Sequence, residues 1–423
     1  MLRSIVPPLL ALALSWVALA PAQESTFNKR VLKNRYGLSL SGGNLDGSAL
    51  SVLQPAVQDA QFVLVGEDHG IAQIPAIVGA LCDRLMPAGF HTMALEVGPL
   101  AAHNLEAWVR DPGGRGRLAA FEKQYPANIA FYDWSEEFDL LSHCATKANG
   151  PFHLWGLDQE LMGSSGWILT KILEQNPGPN AAHRARQILK KNDEAYAAAE
   201  KSGNPSELFM MSASDDELNG LRDVLRNEGN TTSQALFDSL LESRQIYKKN
   251  MDGQSAESNR QRALLMKHNF VADYERATSD GVSAPKVLLK FGAWHMFKGI
   301  NPLLNNDLGN YVTELADGQG TSSVRILILG VKGDQLRFAG IGRLPAPAPL
   351  NLAEDKDSDF LYLKPMFDNL LADGFTVFDL RAFRPEFRSL GPVDREMERL
   401  IFGYDFLVLI PHPAASHTFP INP

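Results

Sequence analysis

The sequence predicts an α/β fold, a mostly parallel sheet flanked by helices, with an inserted helical cap. Three observations carry this. Short apolar runs alternate with segments of helical period, as parallel strands and their crossover helices do. The chain has 423 residues, 45% of them apolar, enough for one large core with an insertion or for two domains. The stretch 164–279 is rich in Ala, Lys, Glu, Gln and Leu and contains no convincing strand. The expected organisation is therefore an export signal over 1–22, an α/β core made of 23–163 and 280–423, and a helical cap over 164–279.

Taken in order, Arg3, the apolar run Ile5–Ala20 and the small residues Ala20-Pro21-Ala22 read as an export signal. The mature protein is expected in the periplasm or secreted, and no later run is long and apolar enough to span a bilayer. Residues 23–50 are expected to form a loosely structured lead-in, followed by a short helix near Ser51–Gln58. Phe62-Val63-Leu64-Val65 is a buried strand that stops at Gly66-Glu67-Asp68-His69-Gly70. Ile71, Ile74, Ile77, Leu81 and Leu85 then mark one apolar helix face. His91–Val97 is a second strand with Glu96 near its end, and Ala101–Val109 a helix. Asp111–Gly116 is a turn-rich loop. Ser135 is placed to cap a helix running to about Ala148, with Glu136 and Glu137 near its positive end. Phe152–Leu157 is a third strand with Asp158 at its end.

The cap region divides at Pro177-Gly178-Pro179, Gly203-Asn204-Pro205 and Gly229-Asn230 into helices near 165–175, 181–201, 214–227, 231–251 and 256–278. The last of these is expected to pack back on the sheet. Lys286–Phe291 is a fourth strand, followed by Gly292-Ala293-Trp294-His295. A helix is expected over Ile300–Leu308 and a fifth strand over Val324–Leu329. Gln335–Gly340 reads as a hairpin arm and Pro345–Pro349 as a loop. Thr376–Leu380 and Phe406–Ile410 are candidate edge strands.

Composition narrows the function. The formal net charge is −9 and no basic cluster stands out, which argues against a nucleic-acid partner. The two cysteines, Cys82 and Cys144, form no metal-site pattern. An exported chain can hold a disulfide, but nothing in the sequence makes their helices neighbours, so two buried free thiols is the default expectation.

Chemistry gathers at the strand ends. Strand one ends in Glu67 and His69, strand two in Glu96, strand three in Asp158 and strand four in His295. Parallel strands place these on one sheet edge, where open α/β sheets bind ligands. A histidine there can serve as general base towards water, with a carboxylate fixing its tautomer, and a second histidine can act as acid or hold an oxyanion. His69, Glu67, Glu96 and His295 are thus the expected catalytic residues. The same four are the expected ligands if a divalent transition metal is bound. Asp158, Trp294 and His268 are the candidates for touching a small-molecule or peptide substrate. There is no Gly-x-Ser-x-Gly elbow and no cysteine at a strand end, so a covalent nucleophile has little support. His412 is an outside candidate.

Val65-Gly66-Glu67-Asp68-His69-Gly70, Gly89-Phe90, Ala94-Leu95-Glu96, Trp134 to Glu137, Gly156-Leu157-Asp158 and the strand ending at His295 follow one another in an order that resembles the erythromycin esterase-like family. That family shares a superfamily with the ChaN haem-binding proteins and the TIKI/TraB proteases. The resemblance covers roughly residues 50–330 and implies that His69 is the water-activating base, Glu96 and Glu67 its acids, and His295 a residue closing the site. It implies hydrolysis of an ester or lactone without a covalent intermediate. The alternatives are haem or metal binding in the same cleft, or metal-dependent peptide cleavage. One residue separates Glu67 from His69, as in the ChaN and TIKI branches, where the esterases usually have two. Only His295 stands where the esterases tend to carry His-Asn-x-His. Gly292-Ala293-Trp294-His295-Met296 with Gly299 is closer to the TIKI/TraB pattern.

Overall fold

The computed structural model describes residues 26–148 and 150–419; the expected signal over 1–22 lies outside them. Among the described residues eleven strands form: β1 (Arg35–Ser41), β2 (Asn44–Asp46), β3 (Phe62–Glu67), β4 (Phe90–Leu95), β5 (His153–Gly156), β6 (Lys286–Gly292), β7 (Ser323–Gly330), β8 (Lys332–Arg337), β9 (Ala346–Asn351), β10 (Phe375–Asp379) and β11 (Phe406–Ile410). Nine of them make one sheet in the order β2-β1-β10-β11-β7-β3-β6-β4-β5. From β11 to β5 all neighbours are parallel. β3 lies inside this parallel block and every one of its residues is buried. That is why it reads as an uninterrupted apolar run: helices cover both faces, so no position is left for a polar residue until the strand ends.

The chain enters the sheet earlier than the sequence suggests. Of the expected loose lead-in over 23–50, the described part from Thr26 is ordered: Thr26–Lys33 is a helix, and β1 pairs antiparallel with β10. Only Leu38 of β1 is buried, so the strand lacks an apolar signature and gains its order by pairing. Nor are the two late strands edges. β11 pairs with β7 and β10, and β10 in turn with β1. Pro345–Pro349 is not simply a loop either, because Ala346–Asn351 pairs with β8 in a separate two-stranded ribbon. Prolines are tolerated there because such a strand leaves one side unpaired.

Residues 300–308 form a loop closed by an Ile300–Asn306 bridge, and the helix starts only at Leu308. Asp307 supplies the reason, since its side chain accepts the Leu308 N–H and fixes the start. Ser135 does not cap its helix. Trp134 occupies that position without a side-chain bond. The segment after Asp111 is helical from Gly114 to Gln124.

Cys82 and Cys144 are disulfide-bonded, not free thiols. Each lies on a buried face of its helix, Gln73–Leu85 and Ser135–Lys147, and these helices pack side by side.

Helices Ser165–Glu174, Pro179–Ser202, Asp215–Glu228 and Thr231–Met251 gather around a hydrophobic cluster of their own, which includes Ile168, Leu221 and Phe237. The helix Ser255–Ser279 differs: Met266 and Phe270 join the main core against the sheet. Its inner face therefore runs past the carboxyl ends of the strands. No helix among the described residues is long and apolar enough to cross a membrane.

Candidate active site

The carboxyl edge of the parallel strands brings Glu67, His69, Glu96, Asp158 and His295 together. Glu67 ends β3, directly beside Gly292 of β6 in the register, and Glu96 follows β4. The turn after Glu67 is built so that His69 can double back. Gly70 has φ +85°, and a Cβ there would strike the Leu336 carbonyl at 2.3 Å, so only glycine fits. Gln335 of β8 donates to Asp68 Oδ1 at 2.7 Å and to the His69 carbonyl at 2.6 Å. The ribbon β8–β9 thus clamps the turn that carries His69.

His69 lies between two carboxylates. Its Nδ1 is 2.8 Å from Glu67 Oε1, and its Nε2 is 3.3 Å from Glu96 Oε2. The ring stacks on Phe131, with centroids 3.8 Å apart and planes 9° from parallel. Gly292 makes this approach possible, because a Cβ there would sit 3.0 Å from His69 Nε2 and 3.3 Å from Glu96 Oε2. Its N–H instead donates to Glu96 Oε2 at 2.5 Å. His295 comes from the turn after β6. Its Nε2 is 3.5 Å from Glu96 Oε1, and its Nδ1 is 3.0 Å from Asp307 Oδ2.

Two cations, one half-buried and one fully buried, complete the site, and the sequence reading missed both. Arg262, on the helix Ser255–Ser279, donates to Glu96 Oε1 at 2.7 Å and grips both oxygens of Asp158. Lys290, inside β6 and 1% exposed, donates to Glu67 Oε1 at 2.5 Å and to Glu137 Oε1 at 2.7 Å. Glu137 is buried in the first turn of its helix. Asp158 is therefore tied to Arg262, while Trp294 lines the cleft mouth and stacks on Phe360 at 5.0 Å. His268 is exposed on the outer side of its helix and touches no part of the cleft. Its neighbour Asn269 is the one that turns inward, donating to the Leu157 carbonyl. His412 is exposed as well, and only its carbonyl is used, by Gln73.

These contacts set the charges. Burial alone would push the His69 imidazole down. The charge of Glu96 and the hydrogen bonds that the ring donates to Glu67 and Glu96 override it, and the value rises to about 10. The geometry says the same: with an acceptor carboxylate facing each nitrogen, only the doubly protonated ring can donate to both. His69 is therefore an imidazolium at neutral pH, whereas a general base must be neutral. Burial would raise both Glu67 and Glu96. Lys290 and His69 hold Glu67 below the usual range, and His295, His69 and Arg262 hold Glu96 well below it. Burial wins at Glu137, which rises to about 7 despite Lys290.

The donor set does not fit a metal ion or a haem iron. Both nitrogens of His69 face carboxylates, and His295 is engaged by Asp307 and Glu96. Glu67 and Glu96 are already compensated by Lys290 and Arg262, whose fixed charges would repel a divalent ion. Among the described residues no three His, Cys, Asp or Glu side chains are disposed to hold a metal. What the arrangement can do is move protons and stabilise charge at a cleft of about 340 Å³ that opens over His69, Glu96 and His295.

Comparison with known proteins places the fold. No family model matches the chain, and no curated protein matches it. Among solved structures, a Bacillus cereus protein of 15% identity superposes with a TM-score of 0.59, covering 94% of this chain and all of the other. A succinoglycan biosynthesis protein of 14% identity covers 93% of this chain and 98% of its own, with a TM-score of 0.56. The erythromycin esterase EreC, in a histidine-to-asparagine mutant in its open conformation, is 17% identical, covers 90% of this chain and 98% of its own, and has a TM-score of 0.58. The chain thus has the erythromycin esterase fold.

Proposed function

We propose that the chain is an exported hydrolase that cleaves an ester, lactone or amide bond with an activated water and no covalent intermediate. One observation carries the reading. A histidine clamped by two carboxylates opens onto a cleft whose lining includes no serine, threonine or cysteine. This supports water as the group that attacks an acyl carbon in the cleft. The fold shared with an esterase supports an ester or lactone ahead of a peptide.

In this reading His69, once deprotonated, takes the proton of the attacking water. Glu67, kept ionised by Lys290, holds the ring in place and stabilises the imidazolium that re-forms. His295, oriented by Asp307, approaches the other oxygen of Glu96. From there it stabilises the developing oxyanion or protonates the leaving group. Arg262 keeps Glu96 ionised and joins the sheet edge to the helix Ser255–Ser279. The disulfide supports an oxidising compartment.

The test is hydrolysis of small esters, lactones and peptides by the purified mature chain, with and without chelator, beside His69→Ala. Activity on esters or lactones that survives chelation and falls by about 10²-fold or more in the variant is the expected result. Activity removed by chelator, or unchanged in the variant, overturns the reading.

A further inference from the structure

The cleft over His69 has two kinds of lining. Its charged groups are already engaged: Glu67 and Glu96 hold His69, Arg262 holds Glu96, and Asp307 holds His295. Asn259 is the one neutral polar side chain among the lining residues. The rest of the lining is apolar. Trp294 and Phe360 stack with centroids 5.0 Å apart and planes 20° from parallel, and Leu303 lines the same cleft. Trp294 and Leu303 are each only half-buried.

Leu303 reaches the cleft on a fastened turn. Asn301 is fully buried. Its amide nitrogen donates to the Trp294 carbonyl at 2.9 Å and to Asp307 Oδ2 at 3.3 Å, and its Oδ1 accepts the Asn305 N–H at 3.0 Å. The Leu304 N–H closes the turn onto the Asn301 carbonyl. Leu304 itself has φ +61°, a conformation that a bulky side chain avoids, and it is 74% exposed. Burial of its own side chain therefore does not explain this backbone. Strain of that kind persists where the surroundings impose it, and it clusters at ligand sites. Here it lets the chain reverse between Asn301 and Asn305, so that Leu303 reaches the cleft that Trp294 lines. Asp307 Oδ2 also accepts from His295 Nδ1 at 3.0 Å. One buried carboxylate thus sets the apolar wall and His295 in a common frame.

We infer that this wall is a subsite for an unbranched aliphatic chain of the substrate, laid across Trp294 and Leu303 with the scissile carbonyl at His69. The inference rests on the hydrolase reading and narrows its substrate to esters or lactones with an alkyl chain next to the scissile bond. A flat ring is held best between aromatic faces, but Trp294 and Phe360 turn theirs to each other and leave no slot between them. A chain needs only apolar surface to cover, and half-buried Trp294 and Leu303 supply it. A charged arm would meet groups that already have partners.

The test uses binding to the full chain, so that it does not depend on turnover. The ketones 2-octanone, 2-butanone and acetophenone, which carry the carbonyl without a leaving group, are titrated by ligand-observed NMR. A fully buried methylene tightens binding about fourfold. With its longer chain only half covered, 2-octanone should still bind at least about 10-fold more tightly than 2-butanone. It should also bind more tightly than acetophenone, which has the same number of carbons. The chain-length preference should fall about threefold or more in Trp294→Ala and in Leu303→Ser. Leu303 is half-exposed on a loop, so the second variant keeps the fold even where loss of the Trp294 ring disturbs it. A chain-length preference under about threefold in wild type, one that either variant keeps in full, or tighter binding of acetophenone overturns the subsite. The hydrolase reading stands or falls separately on the ester panel with His69→Ala.

Discussion

Lys290 Nζ and Glu67 Oε1 meet at 2.5 Å inside the sheet, and neither side chain has more than a trace of exposure. The pair spans adjacent strands, Lys290 lying beside Val65 in the register and Glu67 two residues further on. Taking both charges out of water is costly and is offset only because each is also bonded elsewhere, Lys290 to Glu137 and Glu67 to His69. A lysine in the middle of a central strand is thus the anchor of the site's electrostatics. It keeps Glu67 ionised, and Glu67 together with Glu96 keeps His69 charged.

Lys290→Met should therefore act at a distance from the cleft. Removing one partner of a buried pair typically costs ~3–5 kcal/mol, and here two carboxylates lose their cation. Urea unfolding should show a loss of that size at neutral pH. Glu67 is then held down by His69 alone, so its carboxyl rises and the support it gives the His69 charge weakens. If the variant unfolds at the wild-type midpoint, the pair does not have the role given to it here.

The charge on His69 fixes the sign of the pH dependence. Its folded value of about 10 lies above its ordinary 6.5. As a base it is active only when neutral, so kcat/KM should climb with pH and level off near 10. The same shift governs stability in the opposite sense. The contribution is fully present below about 6.5 and is lost as pH rises through about 10. Glu67 and Glu96, lowered in the fold, contribute stability above their ordinary 4.5 that is lost as the medium is acidified through their lower folded values. Stability should fall off on both sides of neutrality, and the alkaline limb should flatten in His69→Gln. A kcat/KM profile that levels off near pH 6 would assign the base to another group.

The strand-end residues were legible in the sequence for a physical reason. A buried parallel strand carries a polar side chain inside it only where a partner compensates it, so Glu67, His69, Glu96, Asp158 and His295, each at a strand end, stand out against an apolar run. Arg262 has no such background. On an amphipathic helix rich in charge it looks like any solvated arginine, and only the folding of that helix against the sheet edge turns it to Asp158 and Glu96. Lys290 is hidden in the opposite way: a lysine near the start of the Gly292-Ala293-Trp294-His295 turn passes for the polar end of a strand, although the strand continues buried past it. β1 and the disulfide escaped because each depends on a partner far away in sequence, and periodicity carries no information about partners; β9 escaped because its proline-containing, mostly exposed run has no strand signature.

Arg262 should separate from the other site residues in its effects. It holds Glu96 on one side and Asp158 on the other through a planar fork that lysine cannot reproduce. Arg262→Lys should keep the charge and most of the stability, yet lose activity by roughly 10-fold or more, since catalytic groups displaced by about 1 Å lose up to ~100-fold. Arg262→Gln should cost stability as well, because buried Asp158 is left without a cation and Glu96 loses one of its three. Steady-state kinetics and thermal unfolding of the two variants check this. Equal activity of Arg262→Lys and wild type would show that a point charge is sufficient.

The disulfide should matter for stability and not for chemistry. Cys82 and Cys144 are 62 residues apart in sequence and join the helices Gln73–Leu85 and Ser135–Lys147. Those helices already pack through buried apolar faces, so the bond adds little to the folded contacts and acts mainly on the unfolded chain. Closing a loop of that length is worth about 4 kcal/mol in the chain-entropy description. Urea unfolding of Cys82→Ala/Cys144→Ala, or of the reduced wild type, should show a loss approaching that figure. The site should survive below the transition. Glu137, at the start of the second helix, is fixed by Lys290 and not by the sulfurs at the far end, so kcat/KM should stay within about twofold, well under the tenfold that 1.4 kcal/mol of lost transition-state stabilisation would bring. A drop in kcat/KM with no change in the unfolding midpoint would reverse this assignment and make the helix pair part of the catalytic geometry.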